Sequence, residues 1–329
     1  MNRDILNKAA EQGVISQQQV TPLLEFIQCY DETETEVTDP AHAEEQLKFI
    51  RNFGDIFITL GIAFVAVSIS AMDLSGLLWL IPTGLFLLTS EWLVRARRLA
   101  LPGIALLIST LFFVSRALGI EEFGNSSLQF LTLSLCSLLY YLRYRMPFSL
   151  MPTAAGIVAA IISQFGVDMV AHQYLFSLLG GAVFAVAMAF DARDRNRSQR
   201  YSDCAFWLHL LASPLIVHGM MTSILFSDSQ LLSSGLFKEI GLLIFFLIFM
   251  LTALLVDRRA MLVSSLAYAI YAIFQVVENS PLEAENLPLF VFIGFGIFIV
   301  FFGTYWYKAR SLIFGGLKAS RLARYLPYI

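Results

Sequence analysis

Charge is scarce in this chain, and so are the residues that build metal and disulfide sites. Asp, Glu, Lys and Arg make up 14% of its 329 residues, against 57% hydrophobic residues. A soluble chain is about one quarter charged, so a soluble fold is a poor fit. Three cysteines, Cys29, Cys136 and Cys204, are too few and too scattered for a disulfide framework, and reduced thiols are expected. The four histidines, His42, His172, His209 and His218, form no H-E-x-x-H pair. A histidine metal site is therefore disfavoured and no cofactor is expected. The first fifty residues lack a basic start followed by an apolar core, so no cleavable signal is visible. The first span is then expected to act as the insertion signal. Barrel strands are missing as well, because the apolar runs are continuous rather than alternating.

Apolar runs of bilayer length are what the chain has in abundance. Hydropathy places ten spans near 55–72, 74–94, 99–119, 127–142, 148–166, 172–190, 203–226, 237–256, 259–277 and 287–307. Each is close to the ~20 residues that a bilayer core requires. Pro147 and Pro152 blur the boundary between the fourth and fifth. The expected fold class is all-α, a polytopic helical membrane protein with about ten transmembrane helices. The charged residues then orient it. Arg95, Arg97 and Arg98, Arg143 and Arg145, Arg193, Arg195, Arg197 and Arg200, and Arg258 and Arg259 fall on one side, together with the bases of both termini. Of 22 Lys and Arg residues, only Arg116 and Lys238 lie toward the other face. By the positive-inside rule both termini are cytoplasmic. The opposite loops carry Asp73, Glu121, Glu122, Asp168 and Glu283, which reads as a solvated surface or as a vestibule attracting cations.

Three regions follow. Residues 1–53 form a cytoplasmic helical hairpin, an acidic linker and a lead-in helix. Ser16 and Gln19 make a capping box for the second hairpin helix, whose apolar stripe is Val20, Leu23, Leu24 and Ile27. Residues 1–50 hold ten acids against Arg3, Lys8 and Lys48, which suits docking on the basic loops as a lid or partner platform, or a solvated appendage. Residues 54–307 form the ten-helix transmembrane domain. Residues 308–329 form a basic amphipathic tail lying on the anionic inner leaflet.

The stretch Ser202 to Phe226 carries His209, Ser213, Pro214 and His218 inside an apolar run. Ionisable groups at membrane depth are costly and mark candidate sites. Nine residues separate the two histidines, roughly 13–14 Å along a helix, too far to share a metal ion. Pro214 frees the carbonyl of Leu210 and predicts a kink. His209 with Ser213, and His218 with Thr222, sit one turn apart and read as interhelical polar contacts or as a proton-exchanging imidazole. Arg116, Gln164 and Gln275, with Lys238 and Glu278, are expected to line a polar pocket near His218. Glu91 and Arg95 are spaced for an i,i+4 ion pair, or Glu91 is a buried carboxylate coupled to ion movement. Arg193, Arg195, Arg197 and Arg200 set topology and are candidate contacts for anionic lipid. Nucleic acid is not an expected partner for a loop tethered this close to a membrane. Small residues at Gly156 and Ala160, at Gly181, Ala185 and Ala189, and at Gly294, Gly296 and Gly303 predict close crossings or a hinge.

Two stretches carry a resemblance. Gly13 to Gln19, reading GVISQQQ, followed by the spans from Gly54, resembles the cytoplasmic hairpin of an uncharacterised family of bacterial multi-pass inner-membrane proteins. Ser202 to His218, reading SDCAFWLHLLASPLIVH, is similar to a segment of related multi-pass proteins. The resemblance implies a bacterial inner-membrane location and supplies no catalytic residue. Three functions remain open. A transporter or lipid-handling carrier is favoured, since ten spans permit two five-helix halves of opposite orientation. A scaffold or assembly factor would act through the hairpin. A membrane-embedded enzyme would need at least three ionisable side chains within a few ångströms, and a carrier would need a polar cavity joining both halves.

Overall fold

A computed structural model of the chain describes residues 3–25, 53–119, 126–165, 173–194, 197, 199–225, 235–259, 261–262, 270 and 287–316. The chain divides into a unit over Met1–Glu44 and one over Glu45–Pro327. In the first, helix α1 (Arg3–Glu11) ends at Gly13, whose φ of +73° makes the turn. The Ser16 N–H donates to Gln19 Oε1 at 2.9 Å, one arm of the expected capping box, and residues 20–25 are helical. Leu6 and Val20 are both buried, so the two arms share an apolar seam.

Among its described residues the second unit is helices joined by short turns, with no strand. Its helices are α2 (Phe53–Ser70), α3 (Leu80–Ser90), α4 (Ala100–Ala117), α5 (Ser126–Tyr144), α6 (Leu150–Phe165), α7 (Gln173–Arg193), α8 (Arg200–Leu225), α9 (Gly235–Val256), α10 (Leu287–Thr304) and α11 (Trp306–Phe314). A 3₁₀ turn, Gly76–Trp79, leads into α3, and a π-helical turn, Glu91–Ala96, continues it. Six of these segments are long and apolar enough to cross a membrane: Phe53–Ser70, Gly76–Ala96, Ala100–Ala117, Pro147–Phe165, Tyr174–Arg193 and Arg200–Ser223. A seventh arises if α10 and α11, bent by 73° around Tyr305, count as one broken span. The run expected at 259–277 lies almost wholly outside the described residues. So do the acidic linker and most of the basic tail.

Helix α5 is diluted by serines, and packing explains Ser127, Ser134 and Ser137: Ser127 Oγ lies 2.8 Å from Ser163 Oγ. Ser134 Oγ donates to the Thr153 carbonyl at 2.7 Å and Ser137 Oγ to the Ser149 carbonyl at 2.8 Å. Hydroxyls and small residues let helices approach closely where there is no water to expel. At this crossing a Cβ on Gly156 would sit 2.8 Å from the Phe130 carbonyl oxygen and from Ser134 Cβ. Pro147 occupies the first turn leading into α6, where a missing N–H is harmless. In the α7–α8 hairpin the close approach falls on Gly180, 2.8 Å from Ile216, whereas Gly181 meets nothing within 4 Å. A Cβ on Gly294, Gly296 or Gly303 would likewise meet nothing within 4 Å. Gly303 lies just before the 73° bend.

Two apolar cores result. One joins Trp79, Phe86, Leu106, Leu107, Phe113 and Tyr140 across α3, α4 and α5. The other joins Val217, Met221, Phe249, Leu254, Met261 and Trp306 across α8, α9 and α11. Large apolar side chains are also exposed in long rows, such as Phe57 and Phe64 on α2 and Ile293, Ile297 and Phe301 on α10.

Candidate functional site

The end of α9 is where most of the buried charge collects. A helix leaves its last four carbonyls without partners. Here arginines from two other segments supply them. Arg310 on α11 donates from Nε to the Leu254 carbonyl at 3.1 Å and from Nη2 to that of Leu255 at 3.4 Å. Arg197, between α7 and α8, donates from Nη2 to the carbonyls of Val256 at 3.2 Å and Asp257 at 2.8 Å. Its Nη1 lies 2.9 Å from Asp257 Oδ2, and Trp306 Nε1 donates to Asp257 Oδ1 at 2.6 Å. Cations at a helix C-terminus also complement its dipole.

A third arginine, Arg258, turns the other way, into the α7–α8 hairpin. Its Nη2 donates to Asp191 Oδ1 and, at 3.1 Å, to both the carbonyl and the hydroxyl of Ser202. His209 Nε2 lies 2.9 Å from Asp191 Oδ2. With both carboxylate oxygens already accepting, the imidazole N–H is the donor. Arg258, Asp191 and His209 are 1%, 3% and 0% exposed. Phe184 closes over the imidazole with its ring 5.0 Å away, edge to face. Ser213 Oγ donates to the Met261 carbonyl at 2.6 Å, tying α8 to the chain beyond α9. This cluster lies among α7, α8 and the end of α9.

The other expected residues are dispersed. His218 is half-buried with its ring 5.5 Å from that of Phe176, and Thr222 Oγ donates to its carbonyl at 2.7 Å. Pro214 lies exposed within an unbroken α8. The Arg116 guanidinium sits 5.3 Å over the Trp79 ring, whereas Gln164 donates to Ser127 on α5. Gln275 falls outside the described residues. Of the loop arginines, Arg193 and Arg200 are exposed, Arg197 is turned into the bundle as above, and Arg195 is outside the described residues. Asp191, Asp257, Arg258 and Arg310 escaped the sequence reading as site residues. Their signal was slight: Asp257 and Arg258 directly follow an apolar run, and Asp191 ends one. Among the described residues no group of three His, Cys, Asp or Glu is placed to hold a metal ion.

A cavity of about 590 Å³ opens between α3, α4 and α5. Its walls are apolar over most of their length, formed by residues such as Leu88, Leu107, Leu111 and Leu139. Glu91, Arg143 and Tyr144 stand together at one end. Helices α3 and α5 both run toward that end, so Gly84 and Cys136 lie at the far one. Glu91 accepts from Arg95 Nη1 at 3.2 Å, the expected i,i+4 pair, and from Arg143 Nε at 2.8 Å. The π-helical turn over Glu91–Ala96 carries Arg95, α5 carries Arg143, and such turns recur at functional sites. Trp92 is exposed beside them, with Arg97 4.7 Å over its ring. The cavity and the buried cluster share no residue. Comparison of the chain with protein-family models, with curated proteins and with solved structures found no match.

Proposed function

We propose that the chain is a multi-pass protein of a bacterial cytoplasmic membrane, with about ten spans and its basic end inside, and that it handles lipids or similar amphiphiles. The rows of exposed apolar side chains and the six bilayer-length helices support the membrane reading. The observation that carries the functional reading is the shape and polarity of the α3–α4–α5 cavity. It is apolar along its length and charged at one mouth, which matches the two ends of an amphiphile. Its size falls within the range of small-molecule sites, about 300–1,000 Å³.

This favours lipid handling over an alternating-access transporter, whose polar cavity should join both halves. The buried Asp191–His209–Arg258 cluster meets the count of ionisable groups that an enzyme needs. At 0–3% exposure it has little open surface, so it reads better as the tie that holds three helical segments together. Purified protein in vesicles carrying a fluorescent head-labelled phospholipid tests the reading. The labelled lipid should cross the bilayer faster than in protein-free vesicles, as seen by dithionite bleaching. A rate equal to that of empty vesicles sinks the carrier role.

A further inference from the structure

We infer that the α3–α4–α5 cavity takes one acyl chain of an anionic glycerophospholipid, with the phosphate held at the mouth by Arg95 and Arg143. This rests on the lipid-handling reading and adds the class of lipid. The rim carries the argument. Two guanidiniums share one carboxylate, Glu91, so the mouth keeps an excess positive charge. The side chains of Arg95 and Arg143 are 57% and 50% exposed, so each has N–H groups beyond those given to Glu91. A planar guanidinium matches phosphate oxygens pairwise, which a zwitterionic headgroup offsets with its own cation. Arg97 and the exposed Trp92 stand next to them, and Trp and Arg are the residues that settle at headgroup level.

The walls argue for a chain rather than a compact solute. From Gly84 to Glu91 the cavity follows two turns of α3, about 10 Å. Leu88, Leu107, Leu111 and Leu139 offer no hydrogen bond along that path. At the far end a Cβ on Gly84 would meet nothing within 4 Å. The glycine therefore leaves space there, and a large side chain at this position enters the cavity without a backbone clash.

The test uses the full chain in phosphatidylcholine vesicles containing a small share of a photoactivatable lipid, with the diazirine in the acyl chain. Phosphatidylglycerol and phosphatidylcholine forms of the probe are compared, and cross-links are mapped by mass spectrometry. Helix α10, with Ile293, Ile297 and Phe301 exposed, reports ordinary boundary lipid. Expected are phosphatidylglycerol cross-links at Leu107, Leu111 and Leu139 well above those on α10. Arg143→Gln or Arg95→Gln should cut the preference for the anionic probe about fivefold. Gly84→Phe should abolish cavity labelling and leave α10 labelling unchanged. Equal labelling of the cavity by both probes overturns the anionic assignment and leaves lipid handling standing. Labelling spread evenly over the cavity and α10, and unmoved by Gly84→Phe, overturns both.

Discussion

Removing the charge pair between Asp191 and Arg258 gives the sharpest test of what holds α7, α8 and the end of α9 together. The two side chains are 3% and 1% exposed, so neither charge can turn to water when its partner is lost. Breaking a buried pair from one side costs about 3–5 kcal/mol. The two single variants should not be equal. In Asp191→Leu the guanidinium cannot shed its proton and keeps Ser202 as a neutral partner, which places the loss near the upper end. In Arg258→Met the carboxylate retains His209 at 2.9 Å, and the imidazole can take up a proton, which places the loss near the lower end. The double variant removes both charges, so its loss should fall short of the sum by about 2–3 kcal/mol. Graded unfolding of the purified proteins in mixed detergent micelles, followed by circular dichroism, yields the cycle. Losses that add to within about 0.5 kcal/mol would refute the coupling. Equal losses for the two single variants would refute the role given to His209.

Other expectations bear on packing, backbone and topology. Gly156→Ala should destabilise by about 1–3 kcal/mol, because its methyl group meets Phe130 and Ser134 at 2.8 Å; Gly181→Ala, in open space, should be neutral or slightly stabilising in the same thermal melt. Arg98→Gly should raise the melting temperature, since Arg98 is exposed at φ +56° and a left-handed conformation costs a non-glycine residue roughly 1–2 kcal/mol. Trp306→Phe should cost about 1.5–3 kcal/mol by unfolding, through loss of the 2.6 Å bond to Asp257. Single cysteines at Ser75 and at Arg145, in a chain with Cys29, Cys136 and Cys204 replaced by serine, should react with impermeant maleimide from opposite faces of sealed vesicles. Labelling from one face would overturn the alternation of α2 to α5.

The helices were legible in the sequence because an apolar run of bilayer length has one low-cost conformation in lipid, with its backbone bonds made internally. The six bilayer-length segments begin and end within three residues of the expected spans. Contacts between helices were less legible. Periodicity places Gly180 and Gly181 on neighbouring faces, and only the crossing selects Gly180 as the point of approach. The partners of His209 were hidden for a similar reason. Asp191 and Arg258 read as loop charges that set orientation, and nothing in their spacing says that they turn inward. Arg197 shows the limit most plainly. A basic loop side chain and a helix-capping side chain look identical until the backbone, here at φ +53°, shows where the chain turns.

The last turn of α9 is completed by residues made long before it and long after it. Arg197 precedes Asp257 by 60 positions, and Arg310 follows Leu254 by 56. As the chain emerges, those carbonyls must stay solvated until the segment beyond Trp306 is delivered. Closure of this helix end therefore waits for that segment to be made. A ribosome stalled short of that point would leave an open seam for quality-control proteases.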